Sequence, residues 1–431
     1  MARRWIQRSA IALLGLALLL FLAVVVTFGP VAVGHASLVT AIGHFASQDS
    51  LENVREDRLR YPFGLDRLVF VWVDEEADAA HASFAGLVHE TTVWHPGAGA
   101  RRGERAVPKN RLMQSGLFEV AELTTNSRFS PITSGEFWKG THSIAVWHAG
   151  SVVHERYRGS YGPFTPLLSW SISKSVTATL VGRLVELGAI TDIDDRAPVP
   201  EWDGDPLRSR ITWRDLLQMQ SGLEFESDYE TPWSDSLQML FVEQDAGAYA
   251  ASKPALHEPG TVWEYSDGTS NILARLVCDV IRGLDRKPRE FLKSELFQRI
   301  GMRNATFTAD DSGNFVGSSL CVASTRDWLN FGRLSLGDGV FDGKRLLPEG
   351  WVDFVTSPGL NPRYGAHFWR YDVPEDDPLH GVFYASGFGG QVVVIDRERN
   401  LVFCRFGVHP KGGRFDHMAF SRAVVGAVDA L

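Results

Sequence analysis

The first 36 residues combine a positive end with a long uncharged apolar stretch. Three arginines precede an uncharged run over 9–33, and Gly34-His35-Ala36 has the small residues of a signal-cleavage site. An apolar run of about 20 residues can cross the hydrocarbon of a bilayer, whereas signal-peptide cores usually hold about 7–15. The pattern predicts a signal peptide or a transmembrane anchor over 1–36. Its length favours an inner-membrane anchor over 9–33 with an extracytoplasmic (periplasmic) remainder.

Alternating patterns follow this segment. The stretch 68–73 alternates as a strand does, and polar turns and a loop over 97–103 separate such stretches. We interpret 37–139 as an amino-terminal extension that packs against the main domain. A strong hairpin pattern then spans 143–148 and 152–157, and it starts a sheet.

Helical periodicity dominates the middle of the chain. Apolar residues recur at helical spacing from Val176 to Leu187, and Gly188 is suited to end that helix. Thr212 is suited to cap the next helix. Further helices are predicted at about 235–251, 269–283, 288–299 and 325–336. A mainly helical lobe, roughly 190–335, thus lies between sheet segments.

The end of the chain returns to strands. Alternating or apolar stretches predict strands over 383–386, 391–396 and 401–406. The closing stretch 417–431 is amphipathic, so we expect a helix that lies on this sheet.

Composition limits the class of protein. The chain has 431 residues, of which 44% are hydrophobic and 22% charged, so it can fold around a full core. Its net charge of -9 and the lack of a long basic run argue against a nucleic-acid partner. The cysteines Cys278, Cys321 and Cys404 lie far apart, which excludes zinc-ribbon patterns; either one disulfide forms or all three are buried thiols.

A serine three residues before a lysine marks the start of the first long helix. Ser171 and Lys174 lie at i and i+3, so their side chains face the same space if Ser171 opens the helix. A serine hydroxyl needs a neighbouring group that removes its proton, and a desolvated lysine is suited to that role. The spacing alone is weak evidence and needs support from other parts of the chain.

Two later stretches supply that support. Tyr265 and Ser266 lie in a loop ahead of a helix, where a phenol can meet Lys174 and carry protons to a leaving group. Small residues over 386–390 lie at the end of a strand, where backbone N–H groups can approach a substrate closely.

The ordered motifs Ser-x-x-Lys, Tyr-Ser-x and a small-residue strand resemble the serine β-lactamase and penicillin-binding superfamily. The resemblance is closest to class C β-lactamase-like serine hydrolases and 6-aminohexanoate-dimer hydrolases, and the segment 211–223 and Ala323-to-Trp328 support it. It covers 140–431. It implies an α/β (α+β) fold in which an antiparallel sheet is flanked by helices and carries an inserted helical lobe.

The resemblance also implies roles for individual residues. Ser171 would be the acylated nucleophile, Lys174 its base and Tyr265 the proton-relaying phenol. The backbone N–H groups of Ser171 and Phe388 would form an oxyanion hole, and Tyr229 would be a lid tyrosine that closes over substrate. Ser386 and Gly387 of the strand motif would contact substrate. No metal and no cofactor is implied.

Two positions depart from the family pattern. Asp267 replaces the asparagine of true β-lactamases, and a carboxylate near Lys174 would raise the pKa of the lysine, so we expect Asp267 to face away. Ala385 replaces a basic residue that helps bind the carboxylate of β-lactam and peptidoglycan substrates. The second departure argues against penicillinase as the main activity.

Three functions remain open. The leading hypothesis is an exported, membrane-anchored serine hydrolase that acts on an ester or amide bond of a small molecule. The first alternative is a β-lactamase or cell-wall D-alanyl peptidase of the same fold. The second is an inactive membrane-anchored binding or sensor protein that retains the cleft.

Overall fold

The computed structural model describes residues 2–59, 62–103, 123–229, 231–409 and 413–431. The helices are α1 Ala2–Ala41, α2 Leu51–Arg58, α3 Gly135–Trp138, α4 Ile172–Glu186, α5 Trp213–Leu217, α6 Asp235–Phe241, α7 Ala246–Ala251, α8 Asp267–Gly283, α9 Pro288–Leu292, α10 Thr325–Leu336, α11 Trp351–Thr356 and α12 His417–Asp429. The strands are β1 Val69–Asp74, β2 Ala79–Phe84, β3 Val88–His95, β4 Gly99–Arg102, β5 Thr141–His148, β6 Ser151–Tyr157, β7 Pro166–Leu168, β8 Thr306–Phe307, β9 Cys321–Ser324, β10 Val340–Phe341, β11 Lys344–Arg345, β12 Trp369–Arg370, β13 Phe383–Gly387, β14 Gln391–Asp396 and β15 Leu401–Gly407.

The largest sheet has six antiparallel strands in the order β12-β13-β14-β15-β5-β6. The predicted hairpin forms β5 and β6, and the predicted final strands form β13, β14 and β15. The last strand of the chain pairs with β5, which places Cys404 opposite Ala145. The sheet therefore brings together the first and last strands of 140–431, the region that resembles the serine β-lactamase superfamily.

Alternating side chains of this sheet enter two separate cores. On one face, residues such as Ile144, Val394 and Phe403 pack against α12, as the amphipathic pattern predicts. On the other face, residues such as Val393 and Val402 pack against α4 and α10. The sheet is thus covered on both faces, and α4 is held with its amino-terminal end near β13.

The region between α4 and α10 is mainly helical. The predicted helices are present with small shifts in their bounds, with two exceptions. The stretch 235–251 forms two helices, α6 and α7, separated by a short turn, and over 288–299 only α9 is α-helical, followed by a π-helical turn at Lys293–Phe297 and a 3-10 turn at Gln298–Ile300. Thr212 caps α5 with a capping box that includes Asp215. Helix α8 packs against α4, α5 and α7 and so connects this region to the main sheet. The three cysteines are buried free thiols.

A second antiparallel sheet of four strands, β1-β2-β3-β4, lies near the amino-terminal end. The prediction of a loop over 97–103 is wrong in part, because Gly99–Arg102 pair with β3 after a tight turn. Gly99 has φ of +84° and lies against Thr308, so glycine is required there for both backbone angle and space.

Helix α1 is exposed in its first part and buried in its second. Residues 13–24 are exposed, whereas Ala32, Ala36 and Val39 are fully buried against β2, β3 and the main core. Among the described residues, one helical stretch, Leu13–Ala46, is long and apolar enough to cross a membrane by length and composition. The tripeptide Gly34-His35-Ala36 lies in the buried part of this continuous helix.

Candidate active site

Ser171 lies at the amino-terminal end of α4 in a firmly held loop. Trp170, the preceding residue, has φ of +49°, in a left-handed conformation that bulky residues rarely adopt. Ser169 fixes the loop, because its backbone N–H and its hydroxyl both donate to the carbonyl of Cys321, at 2.9 and 2.8 Å. The loop thereby presents Ser171 to a cavity.

Lys174 is one turn into α4 and is only 1% exposed. Its Nζ lies 3.0 Å from Ser171 Oγ, as the i, i+3 spacing predicts. The same Nζ lies 2.5 Å from Asp267 Oδ1 and donates to the carbonyl of Ser318 at 3.0 Å. All three hydrogens of the ammonium group therefore have acceptors.

The expectation that Asp267 faces away from Lys174 is wrong. Asp267 is the first residue of α8, directly after the capping residue Ser266, and this position turns its fully buried carboxylate towards α4. Its Oδ2 accepts hydrogen bonds from Ser236 Oγ at 2.8 Å and from the hydroxyl of Tyr229. A buried ammonium without a counter-charge is very costly, so the pairing of the two charges has a clear physical reason.

The pair changes the protonation of Lys174. Burial by itself lowers the pKa of Lys174, but the charge of Asp267, with a smaller contribution from Tyr265, outweighs burial, so the pKa is raised. Lys174 is therefore an ammonium at neutral pH, and in this state it donates to Ser171 Oγ and cannot accept its proton.

Two tyrosines lie around the pair. The ring of Tyr265 has its centroid 4.8 Å from Lys174 Nζ, and it packs against Tyr364 and Trp369 with centroid distances of 5.9 and 5.5 Å. Tyr229 is 42% exposed at its ring, while its hydroxyl reaches Asp267. Burial and the charge of Asp267 raise the pKa of Tyr229 well above its usual value, so it stays a hydrogen-bond donor.

The end of β13 lies against the Ser171 loop. Ser386 pairs with Val392 in the sheet and is partly buried. A Cβ at Gly387 would overlap the carbonyl oxygen of Ser169 and lie 3.4 Å from the nitrogen of Ser171, so only glycine allows this approach. Phe388 follows with a ring that is 61% exposed and 6.0 Å from the ring of Trp170.

Arg405 holds the turn after β13 in place. It is fully buried on β15, and it donates to the carbonyls of Gly389, Gly390 and Val408 at 2.7, 3.1 and 2.9 Å. Burial, with a contribution from nearby Arg158, lowers the pKa of Arg405 to about 9, which leaves the guanidinium charged at neutral pH. It therefore supports the backbone that carries Phe388.

A cavity of about 290 Å³ begins at Ser171. Its lining includes Tyr229 and Phe388, and it also includes residues of α1. Ala385, by contrast, is fully buried in the sheet and does not contribute to this lining. Within the described ranges, no group of three or more His, Cys, Asp or Glu side chains is placed to hold a metal ion.

Sequence reasoning missed several residues of the site. Ser236, in α6, donates to Asp267, and the backbone carbonyl of Ser318 accepts from Lys174; both serines are distant from these partners in sequence, and nothing in their local sequence signals the contacts. Arg405 had a signal, because it is a lone charged residue inside an apolar strand. The part of α1 that lines the cavity was interpreted only as a targeting segment.

Comparisons with known proteins agree with this architecture. Residues 137–417 match the family model described as Beta-lactamase. The chain is 28% identical over 235 residues to the 6-aminohexanoate-dimer hydrolase of Paenarthrobacter ureafaciens, and the alignment covers 51% of this chain and 58% of that protein. The chain thus matches somewhat more than half the length of this relative.

Solved structures share the fold. A penicillin-binding protein homologue from Caulobacter crescentus is similar with a TM-score of 0.55 at 17% identity, covering 72% of this chain and 99% of that one. A family VIII carboxylesterase is similar with a TM-score of 0.56 at 16% identity, over 72% and 99% of the two chains.

The fold is therefore β-lactamase-like, and the relative matched by sequence is a hydrolase. The chain belongs to the beta-lactamase family. The predicted fold class, family and enzyme class are thereby confirmed.

Proposed function

We propose that the protein hydrolyses ester or amide bonds of a small substrate through an acyl-enzyme on Ser171. One observation carries the proposal: Lys174 Nζ lies 3.0 Å from Ser171 Oγ, and Ser171 lines a cavity. A nucleophile within hydrogen-bond distance of its proton acceptor is the arrangement that acyl transfer requires.

In the first step, Ser171 Oγ attacks the carbonyl carbon of the substrate, and the proton of the hydroxyl passes to the free amine of Lys174. The carbonyl becomes an oxyanion, which the backbone N–H groups of Ser171 and Phe388 receive. The close approach at Gly387 supports this assignment, because it brings the end of β13 against the Ser171 loop.

The tetrahedral intermediate then expels the leaving group. The bond from carbon to the leaving oxygen or nitrogen breaks, and the proton moves from Lys174 through Tyr265 to the departing atom. In the second half, water attacks the acyl carbon while the same groups take its proton, and the bond to Ser171 Oγ breaks. The products are the acid and the restored serine hydroxyl.

Asp267 makes this chemistry dependent on pH. Because the pair with Asp267 raises the pKa of Lys174, the free amine is a small fraction at neutral pH. Activity should therefore increase as pH rises towards the pKa of Lys174. Tyr229, whose hydroxyl also contacts Asp267 and whose ring lies at the cavity, is assigned as the side chain that closes over substrate.

A β-lactamase or D-alanyl peptidase is the second candidate, and the match to the Beta-lactamase family model favours it. Ala385 opposes it, because the family's carboxylate-binding position holds a buried methyl group here. We expect weak or no turnover of a chromogenic cephalosporin and no stable acylation by a fluorescent penicillin. Efficient turnover of the cephalosporin would make a β-lactamase the better candidate than an esterase or amidase.

The proposal includes anchoring in the inner membrane through the exposed part of α1, with the site on the extracytoplasmic side. The exposed apolar residues of 13–24 support anchoring, as do the arginines before them. The burial of Ala36 inside α1 argues against cleavage after that residue.

The direct test is labelling by a fluorophosphonate probe. We expect wild-type protein and the Tyr265→Phe variant to be labelled, the latter more slowly, and Ser171→Ala to be unlabelled although folded. Undiminished labelling of Ser171→Ala would exclude Ser171 as the nucleophile. An inactive binding protein would show no labelling and no turnover across p-nitrophenyl esters and a linear amide.

A further inference from the structure

The exposed stretch of α1 that the structure describes, residues 13–24, is apolar around its whole circumference. Residues 13–24 are all apolar and all exposed. A helix of this kind is stable in a bilayer, where its backbone groups are bonded within the helix and its side chains meet lipid. From Val25 onwards one side of α1 is buried against the rest of the protein, and Phe28 and Val31 belong to that side.

The buried side of α1 forms a wall of the active-site cavity. Phe28, Val31 and His35 are spaced three and four residues apart, so they share one face of the helix, and all three line the cavity. The ring of His35 lies 6.4 Å from the ring of Trp170, the residue before the nucleophile. One cavity therefore extends from Ser171 to the helix that we assign to the membrane.

The cavity reaches α1 just beyond the exposed apolar stretch 13–24. Phe28 follows the exposed Val26 by two residues, which is about 3 Å along the helix axis. Leu87 is also exposed. It lies beside this part of α1, because its neighbour Val88 packs against Gly29. Phe388 lines the cavity and is also exposed, so it lies at the mouth.

We infer that the substrate carries a long hydrocarbon chain, and that this chain enters from the membrane and lies between α1 and the Ser171 loop. The inference rests on the proposed function and deepens it, because it names the substrate class as a membrane-resident lipid ester or amide. The scissile carbonyl is placed at Ser171, and the chain runs past Val31 towards Phe28. A small polar substrate would leave Phe28 and Val31 in contact with water, whereas an acyl chain removes them from it. Asp57, Arg58 and His142 also line the cavity, so the hydrocarbon chain is placed along the α1 side.

The first experiment compares acyl-chain lengths with full-length protein in mixed micelles. Each buried methylene favours binding by about fourfold, so kcat/KM for p-nitrophenyl dodecanoate should exceed that for the acetate at least ~10-fold. Val31→Trp, which fills the cavity, should reduce this ratio to about one. Phe28→Ala should move the acyl-chain length with the highest kcat/KM to longer chains. Val26→Trp, on the exposed side of α1, is the matched control and should keep the ratio.

Labelling by a short fluorophosphonate separates the possible failures. A Val31→Trp variant that is labelled normally but keeps the wild-type chain-length ratio would overturn the inference while leaving the proposed function intact. Absence of labelling in wild-type protein would overturn the proposed function itself. If Val31→Trp does not fold, the shift expected for Phe28→Ala decides the outcome, and an unchanged optimum would count against the inference.

The second experiment tests the membrane as the source of substrate. Full-length protein is reconstituted in phosphatidylethanolamine–phosphatidylglycerol vesicles that contain 4-methylumbelliferyl palmitate in the same bilayer or in separate vesicles. Delivery through the membrane predicts rapid hydrolysis in the same bilayer and at least ~10-fold slower hydrolysis from separate vesicles. Equal rates would show that the chain enters from solution and would overturn this part of the inference.

Discussion

At the scale of single residues, the protonation of Lys174 is set by one carboxylate. Replacing Asp267 by asparagine removes the charge that raises the pKa of Lys174, whereas the effect of burial, which lowers it, remains. The pKa of Lys174 should fall, so more free amine is present at neutral pH. We expect the rising limb of kcat/KM against pH to move to lower pH in Asp267→Asn, measured with a p-nitrophenyl ester.

Ser236→Ala is the matched control for this prediction. It removes a hydrogen bond to the same carboxylate but keeps its charge. The limb should therefore stay close to its wild-type position. A limb that does not move in Asp267→Asn would mean that Lys174 is not the group whose deprotonation limits the reaction.

A second prediction at this scale concerns Arg405, which acts as a positioning residue. Arg405→Met removes the donors to the buried carbonyl of Gly389 and to the partly buried carbonyls of Gly390 and Val408. We expect a loss of about 3 kcal/mol in the free energy of unfolding, measured in urea. We also expect kcat to fall more than KM rises, because the backbone of Phe388 loses its support.

The control is Arg397→Met, which breaks a solvent-exposed ion pair with Asp353. Exposed pairs of this kind contribute about 0–1 kcal/mol, so the free energy of unfolding should barely change. Equal effects of the two substitutions would contradict a special role for Arg405.

At the scale of elements, close packing of α10 on the main sheet depends on a glycine. A Cβ at Gly332 would overlap Val402 of β15 and lie 3.5 Å from Ile395 of β14. Gly332→Ala should therefore lower the free energy of unfolding by about 1–3 kcal/mol through overpacking. Chemical denaturation measures this loss.

Gly426 gives the matched comparison in α12, because nothing lies within 4 Å of a Cβ there. Gly426→Ala should stabilise the protein by about 0.5–1 kcal/mol through helix propensity alone. A loss of stability in both variants would indicate that space around the glycine is not the cause.

The elements that sequence could predict are those with strong local patterns. Alternating or continuous apolar stretches were sufficient to predict β5, β6 and β13 to β15, and apolar residues at helical spacing were sufficient to predict α4, α8 and α10. The short strands β8 and β12 were not predictable. Each has two residues, which is too few to show an alternation of apolar and polar positions, and their pairing depends on the overall fold. The same limit applies to Asp267, whose direction depends on how α8 packs beside α4.

At the scale of the whole molecule, α1 has two environments, and sequence reasoning detected only one of them. Hydropathy is similar for a lipid-facing helix and a core helix, so the pattern over 9–33 could not show that Phe28 and Val31 belong to the enzyme. Their burial is decided by β2, β3 and the Ser171 loop, which are distant in sequence. The exposed apolar stretch and one wall of the active-site cavity consequently lie on the same helix.

This sharing predicts different effects for two truncations. Among the side chains that the structure describes, removing residues 1–24 takes away only the exposed apolar residues 13–24, so the product should be more soluble, unfold cooperatively and be labelled at Ser171. Removing residues 1–36 also takes away Val25, Phe28, Val31 and Val33, which are buried. At about 1.5–3 kcal/mol for each large side chain, the loss of these four amounts to about 6–12 kcal/mol, comparable with the whole stability of a typical domain.

We therefore expect the shorter protein to lose both its cooperative thermal transition and its labelling. Because an open cavity wall would also admit water to the site, any folded fraction should lose its preference for long acyl chains. If the protein without residues 1–36 is stable and is labelled as the wild type is, then α1 is dispensable for the site. In that case a signal peptide cleaved after Ala36 becomes the better interpretation, and sequencing the amino terminus of the mature protein would detect it.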